Sequence, residues 1–422
     1  AVGVAHRDKP IYEQFSERSI APIRSTVGWA ILAGFAITTY LWVWPPGVLI
    51  IAVLGIYFLL QLSIEFARGQ SPEHTAIAGA ITMGTTAVTV TAGVNVLTIT
   101  ATEVSLLQPI MAGLVAFGCL FMAWLARVWE SRDTPRWQYP VTVFGIVVAG
   151  FVLLRLLTPD LFGYFLGQAQ RVVGFTTTPT AGTVGEAAPI PFSQAQLLFE
   201  WHGFAVLIAI GAAAWIVGKA LMGRDLRAEM MLLVVWFVFM LAATFTQRRF
   251  DYYLVVPAAV LTGYAVGTIF NRFDLQFDSG NFELYKTLSV AAIVLILVVP
   301  MVVGPTTALS DSARVGPGNG VQGWSDSLEW MQGNTPAEGN LGGADNANQM
   351  EYYGTYERTD DFEYPNGAYG VMSWWDYGHW ITVKGERIPV ANPFQENAGN
   401  AADFLLAPNE TQSQNILENL GS

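Results

Sequence analysis

Apolar positions gather into nine blocks, roughly 27–44, 47–65, 74–99, 107–126, 140–157, 202–221, 229–247, 250–270 and 287–308. Each approaches the about 20 residues that a helix needs to cross a bilayer. The pattern predicts a polytopic α-helical membrane protein with about nine transmembrane helices over 27–308, preceded by a cytoplasmic segment 1–26. Most connections are short. The exception is 159–200, rich in Gly, Thr and Pro with Arg171 as its only basic side chain, which reads as a long external loop without regular pattern. After residue 309, Gly/Asp/Asn-rich stretches alternate with aromatic segments, which predicts the start of a mixed α/β domain over 309–422.

Basic residues orient the helices. With 1–26 in the cytoplasm, Arg68, Arg127, Arg132, Arg136, Arg224, Arg227, Arg272 and Lys286 also fall inside. The loop 159–200 and everything after about 309 then fall outside, so the C-terminal domain is extracytoplasmic and the expected location is the plasma membrane. Arg248 and Arg249 break the rule, on the external side between two apolar blocks. Such residues face a cavity or a partner, or else snorkel to headgroups. Paired arginines at that interface also suit a lipid phosphate.

Composition agrees: 52% of residues are apolar and 13% charged, with a mean hydropathy of +0.40. Residues 1–309 are electrically neutral, and the whole net charge of −12 sits in 310–422. Only 4 lysines accompany 17 arginines. An acidic, lysine-poor exterior fits either high-salt adaptation or an ordinary acidic surface. Cys119 is the only cysteine, so neither a disulfide nor a cysteine metal site forms within the chain. Residues 1–24 are polar and do not read as a signal peptide; with no initiating Met, the sequence reads as a piece of a longer chain.

The chemistry concentrates in Trp374-Trp375-Asp376-Tyr377-Gly378. Two tryptophans offer a flat apolar wall and indole N–H donors, Asp376 an anionic acceptor, and Gly378 a tight backbone bend. Together they suit the grip of a small hydroxyl side chain. A second candidate, Thr183-Val184-Gly185-Glu186, lies in the long external loop. Alone, such a tetrapeptide reads as a capping box.

The stretch Ser373 to Thr382, followed by Arg387-Ile388-Pro389-Val390-Ala391-Asn392-Pro393-Phe394-Gln395, resembles the signature region of oligosaccharyltransferase catalytic subunits, above all the archaeal AglB type. With the acidic domain, the resemblance suggests a haloarchaeal source. It implies a GT-C-type glycosyltransferase fold and transfer of a glycan from a dolichol-(pyro)phosphate carrier to Asn of Asn-x-Ser/Thr. Trp374, Trp375 and Asp376 match the residues that read the acceptor hydroxyl, with Tyr377 and Gly378 shaping the turn. Glu186 matches the acid of a TIxE or SVSE motif, which contacts the acceptor amide and the catalytic metal, Mn2+ or Mg2+. Val184 and Gly185 depart from that motif without touching the carboxylate, and His379 replaces an aromatic or aliphatic residue and is expected at the surface. The implied partners are a dolichol-linked oligosaccharide held by Arg248 and Arg249, secreted or surface acceptor polypeptides and the lipid bilayer. No nucleic acid is implied, and the enzyme would be single-subunit.

The family's 13 helices would correspond here to about the fifth through thirteenth. The remaining metal ligands, a first-loop aspartate and a D/E-x-D motif, are expected before Ala1, and a second acceptor-pocket motif beyond Ser422. Asp8, Glu103, Asp160 and Glu200 are not substitutes for them. Two other readings stand beside this one: another polyprenyl-phosphate-dependent glycosyltransferase, and a transporter or structural membrane protein. The hydroxyl pocket disfavours the first, and the large external domain without inverted, broken-helix repeats disfavours the second. Asn409-Glu410-Thr411 is itself an acceptor tripeptide, which permits modification without demonstrating it.

Overall fold

The computed structural model describes residues 21–175, 185–223, 227–273, 275, 284–302, 321–349, 366–392 and 396–420. The chain divides into two compact units. One comprises Ala1–Thr176, Pro189–Gln194 and Phe204–Ser289; the other comprises Thr177–Ala188, Ala195–Gly203 and Val290–Ser422.

The first unit is helical. It contains α1 (Ala21–Val43), α2 (Leu49–Ala67), α3 (Glu73–Val90), α4 (Leu107–Ser131), α5 (Gln138–Leu157) and α6 (Pro159–Val173). After α7 (Gln196–His202), which belongs to the other unit, come α8 (Phe204–Leu221), α9 (Ala228–Thr246) and α10 (Asp251–Arg272). Among the described residues, eight helices are long and apolar enough to span a membrane: α1 to α5 and α8 to α10. The ninth predicted block falls on α11 (Leu284–Val302), and its end, 303–308, lies outside the described residues.

Helix association in lipid lacks the hydrophobic drive available in water and rests on close approach and interhelical polar contacts. Both operate here. A Cβ on Gly79 of α3 would lie 2.8 Å from the Phe58 ring and 2.9 Å from Cys119 Sγ, so only glycine lets α2, α3 and α4 meet there. Between α1 and α3, Thr86 Oγ1 donates to the Gly34 carbonyl (3.2 Å), and the Thr38 and Thr89 hydroxyls share a 2.5 Å bond. Around these contacts Leu62, Phe66, Cys119, Met122 and Tyr139 form a buried cluster, with the Tyr139 hydroxyl satisfied by the Met122 carbonyl at 2.7 Å. Glu73, 5% exposed, accepts from Arg127 Nε at 2.5 Å, which places the charge of α3 in a pair.

Two expectations change. The block 74–99 is helical only to Val90, with a 3-10 turn to Gly93; a compact loop follows, closed by bonds from Asn95 N to Val104 O and Leu106 N to Thr98 O. The loop 159–200 is not irregular throughout. Pro159 pre-sets the first turn of α6, Asp160 lies at its positive end and Arg171 at its negative end. No residue of α6 is buried within the unit. Its C-terminal end is tied to α9: Gln247 Nε2 donates to the Arg171 carbonyl at 2.5 Å, and Phe175 N donates to Thr246 Oγ1 at 3.1 Å.

The second unit contains α7, α12 (Val321–Asn334), β1 (Gly370–Val371), α13 (Gly378–Val383), β2 (Ile388–Pro389), α14 (Ala398–Leu405) and α15 (Glu410–Leu420). Gly203 ends α7 at φ +57° and ψ −139°, a conformation reserved for glycine. Strands β1 and β2 pair in parallel, Gly370 opposite Ile388 and Val371 opposite Pro389.

Candidate functional site

The segment 374–378 leaves β1 and returns through α13 to β2. Trp374 is extended (φ −62°, ψ 139°), Trp375 to Tyr377 form one 3-10 turn, and Gly378 opens α13. Trp374 Nε1 donates to Asp376 Oδ2 at 2.8 Å. The Trp374 and Trp375 rings lie 5.9 Å apart at 52°, and no partner for the Trp375 indole N–H appears among the described residues. Asp376 is exposed, and Trp374 and Trp375 are half-buried. One carboxylate oxygen is thus occupied by an indole, and the other, beside a second indole, has no partner among the described residues. That arrangement can accept a hydrogen bond from a hydroxyl while an apolar wall excludes water from one side.

Gly378 departs from expectation. It is buried at φ −54°, ψ −42°, ordinary right-handed helix, so burial rather than a glycine-only bend describes its place. His379 is exposed, as expected. Tyr377 faces inward as part of an aromatic trio: its ring lies 4.5 Å from Trp324 on α12 and stacks on Trp380 at 5.5 Å and 29°. The trio fastens the turn to α12.

Two buried ionisable side chains brace the base of this segment. Glu338, 3% exposed, accepts the backbone N–H of Tyr369 (Oε2, 3.2 Å) and of Ile388 (Oε1, 3.0 Å), joining the chain just before β1 to the start of β2. Burial pushes its carboxyl above the ordinary glutamate range, against the two N–H groups and Arg387, which pull it down. Arg387, 2% exposed, donates Nε to Tyr369 Oη (2.7 Å) and Thr335 Oγ1 (2.9 Å), and Nη2 to the Thr335 carbonyl (2.7 Å). In the sequence Glu338 carries no motif, and Arg387 stands out only as part of the signature 387–395. The brace joins residues about 50 apart, so its only local signal is the proximity of Arg387 to the Trp/Asp segment.

In the first unit, Arg248 and Arg249 occupy a 3-10 turn (Arg248–Phe250) between α9 and α10. Arg249 is exposed, with its guanidinium 5.8 Å over the Phe250 ring. Arg248 is half-buried, and its Nε is enclosed without a hydrogen-bond partner among the described residues. An enclosed guanidinium N–H left open can donate to an anion.

Glu186 lies exposed in a 3-10 turn, Gly185–Ala187; Thr183 and Val184 lie outside the described residues. No hydrogen bond joins Glu186 to 374–378 among the described residues. Nor do the described residues contain a group of three His, Cys, Asp or Glu able to hold a metal ion. A carboxylate is the right donor for Mn2+ or Mg2+, but one carboxylate supplies only part of an octahedral shell.

Residues 321–422 match the AglB core domain family. The whole chain is 37% identical to the dolichyl-monophosphooligosaccharide–protein glycotransferase AglB of Haloferax volcanii, covering 47% of that protein. The chain belongs to the AglB-type oligosaccharyltransferase family. Another relative is dolichyl-phosphooligosaccharide-protein glycotransferase 3 of Archaeoglobus fulgidus, 30% identical over 67% of this chain and 33% of the relative. The chain therefore spans less than half the length of either. Its fold is similar to that of the Archaeoglobus fulgidus AglB solved with an inhibitory peptide and a dolichol-phosphate: TM-score 0.70, 22% identity, 94% of this chain and 47% of that one. A structure of the Archaeoglobus fulgidus enzyme in complex with Zn and sulfate matches with TM-score 0.60 at 20% identity, over 94% of this chain and 44% of that one. The protein is accordingly a multi-pass helical membrane protein with a C-terminal domain.

Proposed function

We propose that this chain forms the acceptor-reading part and one edge of the catalytic centre of an enzyme that transfers a glycan from a dolichol-(pyro)phosphate carrier to Asn of Asn-x-Ser/Thr. The observation that supports it most is the Trp374–Asp376 pair at the tip of a turn braced by Glu338, Arg387 and the aromatic trio. A site that hydrogen-bonds a hydroxyl rejects analogues lacking one, because its polar groups are then left unpaired. In this reading Asp376 accepts from the acceptor Ser/Thr hydroxyl, and the two indoles wall the pocket.

The reacting group is a primary amide, whose nitrogen lone pair is delocalised into its carbonyl. Glu186 would accept an N–H of that amide, orienting it and weakening the delocalisation. Glu186 would also give one ligand to a divalent cation, Mn2+ or Mg2+, which when bound supplies charge stabilisation at the departing phosphate. The Archaeoglobus fulgidus enzyme has been solved in complex with Zn and sulfate, which supports a divalent-metal site of this kind. Arg248 and Arg249 would hold the lipid phosphate, Arg248 through its open Nε. Their turn, the loop with Glu186 and the C-terminal domain would all face the outside of the plasma membrane, in a single-subunit enzyme.

The test uses full-length enzyme, donor lipid, Mn2+ or Mg2+, and peptides bearing Asn-x-Thr or Asn-x-Ala. Glycopeptide should form from Asn-x-Thr only, and Glu186→Gln should lower turnover by orders of magnitude while donor and peptide still bind. Equal modification of both peptides, or full turnover by the variant, contradicts the proposal.

A further inference from the structure

We propose that the side-chain nitrogen of Asn409 is a glycan attachment site, modified by this enzyme acting on another copy of its own chain. The proposal rests on the transfer activity above and on an external C-terminal domain.

Among 15 asparagines, Asn409 alone stands in an Asn-x-Ser/Thr tripeptide with x other than Pro. Asn409, Glu410 and Thr411 are all exposed. Helix α15 begins immediately after Asn409, and Asn409 is its N-cap: Oδ1 accepts the Gln412 N–H at 3.0 Å, and its carbonyl accepts the Ser413 N–H at 3.2 Å. The two ends of the side-chain amide are thus used unequally. The oxygen is committed to the helix, whereas Nδ2 has no partner among the described residues. Replacing one hydrogen on Nδ2 by a sugar C1 keeps the amide oxygen, and with it the cap. An open hollow of about 610 Å3, lined by Phe404, Pro408, Ser413 and Leu417, borders the amide and leaves room for a proximal sugar. A glycan on Nδ2 therefore leaves the cap of α15 in place.

The acceptor itself cannot have this conformation. Residues two apart share a face in an extended chain, but point about 200° apart in a helix. A pocket that reads the asparagine amide and the threonine hydroxyl together therefore needs 409–411 extended, before α15 closes. That assigns the modification to a chain still folding and the catalysis to a folded copy. In the transfer, the bond from sugar C1 to the lipid-phosphate oxygen breaks and the phosphate leaves with the electron pair. The C1–Nδ2 bond forms, and the displaced amide proton passes to a base. No redox partner is needed.

The experiment follows the Asn409 peptide by mass spectrometry, in full-length protein from an archaeal host that also expresses a sequon-bearing reporter. The wild-type peptide should carry one glycan; Thr411→Ser should keep it and Thr411→Ala should lose it. A tagged Glu186→Gln copy should be bare when expressed alone, and glycosylated beside untagged wild type. A bare Asn409 in cells that glycosylate the reporter overturns this inference and leaves the transfer activity standing. If the reporter is bare as well, both fall. A glycan on the Glu186→Gln copy in the absence of any wild type overturns the assignment to this enzyme.

Discussion

The indole of Trp374 donates its N–H to Asp376 across 2.8 Å, two residues along one 3-10 turn. This bond occupies one carboxylate oxygen, limits the rotamers of the other and keeps a negative charge beside an apolar wall. In the acceptor-reading role, the pair acts as a unit. Trp374→Phe keeps the wall and frees the carboxylate, so KM for an Asn-x-Thr peptide should rise several-fold with kcat less affected. A double-mutant cycle with Asp376→Ala should show non-additive losses. Independent losses would mean that the bond has no part in recognition.

The open Nε of Arg248 predicts a different signature. Replacing Arg248 and Arg249 together with Gln removes the guanidinium forks but keeps polar length. Donor-lipid affinity should fall at least tenfold, by the scale of lost charge-assisted bonds, and peptide affinity should hold. Titration of donor and peptide separately decides it. Normal donor binding would return the pair to headgroup snorkelling.

Glu338 ties together the two ends of the segment that carries Trp374 to Gly378, and its role is structural. Glu338→Gln keeps one acceptor oxygen but turns the other into an NH2 group that faces a backbone N–H and cannot accept from it, at a cost of about 1–3 kcal/mol. The pH dependence has a definite sign. Because burial raises this carboxyl in the folded chain, its contribution is fully present below the ordinary glutamate value and is lost as pH rises through the raised one. The difference in melting temperature between wild type and variant, read from tryptophan fluorescence, should be largest near pH 4 and should narrow toward neutrality. A gap that widens with pH would contradict the burial-dominated reading.

How far the sequence could be read follows from what each feature depends on. The spanning helices were legible because a continuous apolar block is a local property: α2, α4, α5, α9 and α10 each fall where one was expected. Helix α6 was missed because its apolar residues are interrupted by Gly163 and Gly167, although Pro159 and Asp160 at its start and Arg171 near its end marked its bounds. The side chains of 374–378 were legible as chemistry, and the structure gathers Trp375 to Tyr377 into one 3-10 turn with Trp374 bonded to Asp376. What the sequence could not convey is direction. That the Trp374 indole is spent on Asp376, that Tyr377 packs against Trp324, and that Glu338 and Arg387 brace the segment's base all depend on contacts between distant residues.

The most direct measurement of the central claim is the kinetics of Asp376→Ala in the full-length enzyme, with donor lipid and an Asn-x-Thr peptide. KM for the peptide should rise by about 10–100-fold, the scale of a lost hydrogen bond to a charged acceptor. Donor affinity should not change, and the variant should no longer prefer Asn-x-Thr over Asn-x-Ala. An unchanged peptide KM with the threonine preference intact would contradict the assignment of this turn to acceptor recognition.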